Sequence, residues 1–217
     1  MPHLLDTTMF WTTAGGGVRR YLEAKNAFAT GARWQHSVAT PMLDGIGTVR
    51  VPSVPLPASG GYRLPWRRGA AAHVLRSQAP DLIETGDPYR LAWSALDAAQ
   101  SLGIPALAFC HSNLERLAAS IGGERTGTAA ARLARRYACH LYQQFDLVLA
   151  PSAAMCAHLR DWGVPRVQCR PLTRSRTYSA AAAVSKASTG RPEANASSTT
   201  LPKVSDRLGK TNTSADA

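Results

Sequence analysis

Apolar residues in this chain fall into short runs punctuated by glycine and proline, and two periodicities alternate along it. Stretches of strand length stand at 3–9, 81–84, 104–109 and 146–150. Short continuous apolar runs of this kind suit parallel strands covered on both faces. Between them lie segments with helical spacing, at 17–30, 67–78, 89–102, 126–145 and 153–162. In the third, Leu91, Ala95 and Ala98 recur at helical intervals and Gly103 supplies the stop. In the fourth, Leu133, Tyr137 and Leu141 form the expected apolar ridge. Shorter strands are expected at 36–40, 47–51 and 166–169. The segment 53–65 carries Pro55, Pro57, Gly60, Gly61 and Pro65, and is expected to be a connection without regular structure.

Strands alternating with helices over so many cycles predict an α/β fold: a Rossmann-like, mainly parallel sheet flanked by helices. The pattern stops near Thr173. From there to Ala217 there is no Trp, Phe, Ile, Met or Cys, and Ala, Ser and Thr dominate. Such a segment buries too little apolar surface to offset chain entropy. The expected organisation is one domain, 1–172, and a disordered C-terminal tail, 173–217.

Composition narrows the function classes. The net charge of +11 and pI near 10.2 invite a nucleic-acid or acidic-surface reading. The basic residues are scattered, however, and no zinc-finger spacing or RNA-binding aromatic motif accompanies them, so nucleic acid is disfavoured. Cys110, Cys139, Cys156 and Cys169 are widely spaced without a C-x-x-C pair, which argues against a metal site and for reduced thiols in a cytoplasmic protein. No signal-peptide pattern opens the chain, and no apolar run is long enough to span a bilayer. Peripheral contact with an anionic membrane, such as the inner face of the plasma membrane, stays open.

Candidate chemistry gathers at strand ends. The first strand runs into Gly15, Gly16 and Gly17, and a helix opens at once with Val18, Arg19 and Arg20. Strand, glycine turn and helix together aim backbone N–H groups at an anion. Two arginines in a first turn oppose the helix dipole, and a bound phosphate offsets that penalty. A plain tight turn with solvated arginines is the alternative. Asp87 and His111 follow the strands at 81–84 and 104–109, hence the same carboxyl edge of a parallel sheet. Asp87 before Pro88 also suits an ordinary turn or cap residue, and His111 a histidine bonded to a nearby carbonyl.

Read together, MFWTTAGGGVRRYLEAK, PDLIETGDPY, GIPALAFCHSN, RRYACHLYQQFDLVLAPS and LRDWGVPRVQCRPL resemble, in order, the N-terminal half of family 4 glycosyltransferases, retaining enzymes of the GT-B type. The resemblance implies one of two Rossmann-like lobes, with a nucleotide-sugar donor as substrate, no cofactor and no metal. It implies a sugar, lipid-linked or polyol acceptor. It assigns His111 to the transferred sugar as the catalytic histidine, the backbone of Gly15, Gly16 and Gly17 to the donor diphosphate, and Arg19, Arg20, Asp87 and Tyr89 to the acceptor.

The chain departs from the family after Pro171-Leu172. There the family continues into a second lobe with paired glutamates that hold the donor, whereas here Thr173-Arg174-Ser175 leads into the tail. The expectation is a truncated chain, its tail read out of frame, with negligible transferase activity by itself. Two rivals remain. A nicotinamide-dependent dehydrogenase lacks support, because Arg20 stands where the dinucleotide fingerprint needs a small residue. A non-enzymatic basic module for nucleic acid or an anionic membrane surface rests on charge alone.

Overall fold

The computed structural model describes residues 1–11, 16–42, 48–57, 59, 61–121 and 124–170. Gly15, part of the expected strand at 47–51 and the whole 173–217 segment lie outside the described residues. In chain order the elements are β1 (His3–Thr7), α1 (Gly17–Gly31), β2 (Gln35–Thr40), β3 (Val49–Arg50), β4 (Ser53–Pro55) and β5 (Arg63–Pro65). They continue with α2 (Arg68–Ser77), β6 (Leu82–Thr85), α3 (Arg90–Leu102), β7 (Ala106–Phe109), α4 (Leu114–Ile121), α5 (Glu124–Tyr142), β8 (Leu147–Ala150), α6 (Ala153–Asp161) and β9 (Val167–Cys169).

Seven strands make one sheet in the order β3-β2-β1-β6-β7-β8-β9, and every pairing in it is parallel. β1 lies between β2 and β6, with Asp6 opposite Glu84 and Thr7 opposite Thr85. The chain therefore builds outward from β1 in both directions. Beyond the carboxyl ends of β1 and β6 the connecting loops diverge, which opens a crevice for ligands.

Strand side chains alternate between two faces. Leu5, Ile83, Ala106, Ala108, Val148 and Ala150 belong to the larger core, with Ala71 and Leu75 of α2, Leu91 and Ala95 of α3, Ala138 and Leu141 of α5, and Leu159 of α6. Leu4, Leu82, Leu107, Phe109 and Leu149 form the second cluster, against which Tyr21 of α1 packs. Small alanines on the strands let helices α2 and α3 approach closely. Gly103 ends α3 with φ +66°, the left-handed cap that its position after Leu102 predicts. Ser152 starts α6, accepting the Met155 N–H at 3.2 Å.

Four expectations are corrected. The segment at 53–65 is no featureless connection: β4 and β5 pair antiparallel, Ser53 against Pro65 and Pro55 against Arg63. An isolated two-strand ribbon needs few donors, so prolines at its ends cost it little. Helix α4 was not anticipated, and its signal is Asn113, whose side-chain oxygen accepts the Arg116 N–H at 3.0 Å. Leu133 is not part of the α5 ridge, being 70% exposed, while Ala138, Leu141 and Tyr142 face the core. Finally, Cys156 of α6 and Cys169 of β9 are joined as a disulfide, where four reduced thiols were expected. The return from α6 through Gly163 into β9 brings their Cα atoms to 5.8 Å, a proximity that sequence spacing does not reveal.

Candidate functional site

At the crevice beyond β1, β6 and β7 lies a cavity of about 310 Å³. Gly17, Val18, Tyr21 and Leu22 of α1 form one wall, and Phe109 and His111 the facing one. Asp6 and Thr7 of β1 with Thr8 just after it, and Glu84 of β6 with Gly86 just after it, complete it. The glycine turn and His111 are thus brought to one site, as the parallel-sheet argument requires.

The α1 wall presents the start of a helix. Gly16 has φ +135° and ψ 166°, a region that essentially only glycine occupies, and its carbonyl accepts the first helical bond from Arg20 N–H at 3.2 Å. The N–H groups of Gly17 and Val18 precede that bond, no side chain caps the helix, and no acid stands in its first turn. This is the arrangement in which a helix end attracts an anion.

The floor carries buried charge that sequence reasoning missed. Lys25, 2% exposed, reaches Asp6 Oδ1 at 2.8 Å and Glu84 Oε2 at 2.9 Å. His36 Nε2 lies 2.6 Å from Asp6 Oδ2, and the Tyr21 hydroxyl donates to Glu84 at 3.3 Å. Burial by itself would raise the Asp6 carboxyl, but Lys25 and His36 outweigh it and hold the group below its ordinary value. Burial would likewise lower Lys25, and Asp6 and Glu84 reverse the direction. Lys25 stands on the Tyr21–Leu22–Ala29 side of α1, so its buried position was legible from helical spacing.

Tyr21 of the α1 wall stacks on Phe109, with centroids 5.0 Å apart and planes inclined by 14°, so the two sides meet there. Phe109 in turn contacts the His111 ring at 5.7 Å. Burial lowers the His111 pKa, only partly opposed by a backbone hydrogen bond at Phe109. The imidazole is therefore neutral at pH 7 and has both a donor and an acceptor nitrogen. A Cβ placed on Gly86 meets His111 Cε1 and the Thr7 carbonyl at 3.8 Å each, so β6 passes close beneath the ring.

The remaining candidates lie elsewhere. Asp87 is 3% exposed and does not line the cavity. It accepts the Met9 N–H on Oδ2, while Oδ1 is buried with no hydrogen-bond partner. Burial pushes its pKa up to about 7, against the pull of the Met9 N–H and the Thr8 hydroxyl. Tyr89, half-buried, packs edge-on against Phe10 at 5.7 Å, and Phe10 packs edge-on against Tyr62 at 5.5 Å. Arg19 pairs with Glu23 at 2.7 Å and stands over the Trp11 ring at 5.8 Å, while Arg20 is exposed. Asp87 and Tyr89 thus follow the lining residue Gly86 in the chain, and Arg19 and Arg20 follow Val18, but none of the four lines the cavity. Among the described residues no cluster of three or more His, Cys, Asp or Glu is arranged to hold a metal ion, and no helix is long and apolar enough to cross a membrane.

The solved structure of sucrose-phosphate synthase from Thermosynechococcus elongatus superposes with a TM-score of 0.50 over 86% of this chain and 96% of that one, at 12% identity; the likeness is one of fold. In sequence the chain is 33% identical over 124 residues to a GDP-mannose-dependent alpha-mannosyltransferase of Mycolicibacterium smegmatis, covering 57% of this chain. It is 33% identical over 129 residues to a protein of the same description from Mycobacterium tuberculosis, covering 59%. The matches span 32% and 33% of those relatives' lengths, so the chain corresponds to about a third of each. The model of Glycosyltransferase Family 4 matches residues 14–172, taking in α1, His111 and every strand from β2 to β9. On the sequence match over residues 14–172, this protein belongs to glycosyltransferase family 4.

Proposed function

We propose that this chain is the N-terminal, acceptor-side lobe of a retaining glycosyltransferase, and that its crevice holds the sugar and phosphate end of a nucleotide-sugar donor. The observation that carries this reading is the convergence of an uncapped helix start and a neutral histidine on one cavity. The relatives' descriptions make GDP-mannose the first donor to try.

In this reading the N–H groups of Gly17 and Val18 meet the leaving phosphate, whose charge grows as the glycosidic bond breaks. Fixed N–H dipoles stabilise that growing charge more than they stabilise the bound substrate, which is where rate is gained. His111 lies against the sugar, its neutral ring accepting from a hydroxyl and orienting the anomeric carbon. Gly15, next to this turn, is assigned to the same diphosphate by position only. Tyr89, Arg19 and Arg20 face the acceptor side, with a sugar, a polyol or a lipid-linked sugar as acceptor, while the buried Asp87 acts behind them by holding Met9. Transfer proceeds with retention and draws on no metal or cofactor, in the cytoplasm.

A cavity of about 310 Å³ is at the low end of ligand sites. It suits a hexose and a phosphate better than a whole nucleotide sugar. Contacts to the nucleotide then fall to groups beyond residues 1–172, and the 1–217 chain alone is expected to bind donor weakly and transfer negligibly. Titration by saturation-transfer NMR tests this, with GDP-mannose, mannose 1-phosphate, GDP and UDP-glucose as probes. The reading expects the sugar ring protons to saturate most strongly, the anomeric proton next to the phosphate above all, and His111→Ala to abolish the effect. Saturation confined to the guanine ring, or unchanged in His111→Ala, counts against it.

A further inference from the structure

Between Asp44 and Asp81 the sequence has no acidic residue, but it has Arg50, Arg63, Arg67, Arg68 and Arg76. The β4–β5 hairpin occupies the middle of this stretch. It stands outside the main sheet, closed by Leu56 N–H to the Tyr62 carbonyl at 2.9 Å and anchored by Trp66 N–H to the Pro52 carbonyl at 3.0 Å. Three large apolar side chains stand out from it: Leu56 at 47% exposure, Tyr62 at 37% and Trp66 at 57%. A lone exposed leucine means little, whereas three such groups on one small hairpin mark an interaction surface.

The charge around them has one sign. Arg90, at the start of α3, donates to the carbonyls of Pro65 and Trp66 at 3.3 and 3.2 Å, which sets its guanidinium beside the tryptophan. Arg67 is exposed next to Trp66, and Arg50 is exposed on β3; among the described residues neither has a carboxylate partner. Arg68 differs, being paired with Asp97. Pro52, Pro55, Pro57 and Pro65 stiffen the ribbon, so little ordering cost remains on binding.

We infer that the β4–β5 hairpin is a docking surface for an anionic phospholipid bilayer. Tryptophan and tyrosine settle at the headgroup level, Leu56 enters the acyl boundary, and Arg50, Arg67 and Arg90 meet lipid phosphates. A nucleic acid would answer the arginines but leave Leu56 without a partner. The location also has a use. Tyr62 contacts Phe10, which contacts Tyr89, so one aromatic row joins the hairpin to the segments that follow the cavity-lining residues Thr8 and Gly86. This use rests on the proposed transferase reading: a docked membrane delivers a lipid-borne acceptor at the mouth of the cavity. The docking itself does not rest on it, since it needs no donor.

Vesicle flotation with the 1–217 chain tests the inference. The chain is expected to float with phosphatidylcholine vesicles containing about a third phosphatidylglycerol, and not with pure phosphatidylcholine. Arg50→Gln with Arg67→Gln is expected to weaken binding about fivefold per arginine. Leu56→Ser with Trp66→Ser is expected to cost at least about tenfold, by removing the inserted apolar groups. Arg132→Gln with Arg136→Gln, on helix α5 outside the hairpin, keeps binding near the parent level. All six positions are exposed, and circular dichroism checks that each variant folds. Brominated acyl chains are expected to quench the parent's tryptophan emission more than that of Trp66→Phe. Equal flotation with neutral vesicles, unchanged binding in the hairpin variants, or displacement by a DNA duplex that the same variants cease to bind would each overturn it. Vesicle binding lost with a donor response intact sinks this inference alone, and the converse sinks only the transferase reading.

Discussion

The Asp87 carboxylate accepts the backbone N–H of Met9 on one oxygen, and its other oxygen is buried without a partner. Met9 begins the segment that leads from β1 to the glycine turn, so this bond anchors one end of the loop that borders the crevice. Among the described residues no cation acts on its carboxyl, and the titratable groups that respond to Asp87 are Tyr89 and Tyr142. A buried carboxyl with one unpartnered oxygen holds its proton, which is the physical basis of its shift to about 7.

The sign of the pH dependence follows. In the unfolded chain an aspartate titrates near 3.9, roughly three units lower. Between about pH 4 and pH 7 the folded state holds a proton that the unfolded state has released, so stability from this group is greatest in acid. It declines as pH rises through that window and levels off above about 7, a change of up to roughly 4 kcal/mol. Asp87→Asn keeps an acceptor for Met9 and cannot ionise. Urea unfolding from pH 5 to 8 should show the parent losing stability relative to this variant as pH rises. A parent–variant difference that is flat across the window would refute the assignment.

Lys25 is buried between two carboxylates, and removing it strands both. Lys25→Met should therefore destabilise by about 3–5 kcal/mol, the usual cost of leaving a buried charge uncompensated. Adding Glu84→Gln to that variant should recover part of the loss, because one of the stranded charges is gone. Chemical denaturation of the parent, both singles and the double closes the cycle. Strict additivity would show that the network in the structure does not act as a unit.

How much of this was legible in the chain depends on the length scale of the signal. β6, β7 and β8 were readable because a strand covered on both faces must be apolar throughout, and glycine or proline marks its ends. Parallel pairing then put the glycine turn and His111 on one edge without any knowledge of contacts. The hairpin at Ser53–Pro55 and Arg63–Pro65 was hidden by its prolines, which usually argue against a strand. Helix α4 is only two turns long, and Gly122 and Gly123 just beyond it masked its periodicity. Leu133 misled because helical spacing identifies a stripe and not the side of the helix that is covered. Asp87 was correctly set at the carboxyl edge, yet sequence gives no sign that its side chain is buried against the Met9 backbone. The Lys25 cluster joins three strands and a helix, and local pattern does not encode such a meeting.

Neighbouring glycines at the helix start should behave differently. Gly16 adopts a backbone conformation closed to other residues, whereas Gly17 has ordinary φ and open space where a Cβ would stand. Gly16→Ala should cost about 1–3 kcal/mol of stability. Gly17→Ala should be stabilising or neutral, by up to about 1 kcal/mol, since it stiffens the unfolded chain. Gly17 lines the cavity, so the added methyl group should crowd the phosphate and mannose 1-phosphate saturation should fall despite the unchanged fold. Thermal melts and the NMR titration separate the two effects, and equal melting of both variants would contradict the geometry.

His111 offers the sharpest check on the site, because its protonation state decides what it can do there. Its burial beside Phe109 lowers its pKa from the ordinary 6.5, so the ring should be neutral throughout the physiological range. An imidazolium has two donors and no acceptor, and so repels an oxocarbenium-like centre; the neutral ring accepts from a sugar hydroxyl and carries no charge. A proton-detected titration of the imidazole C–H signals, assigned with His111→Gln, should give a midpoint below 6.5 in the free chain. A phosphate at the α1 start adds negative charge nearby, so the midpoint should rise when mannose 1-phosphate binds. A midpoint that stays fixed on binding would mean the sugar phosphate lies too far from the histidine for the two to act on one bond.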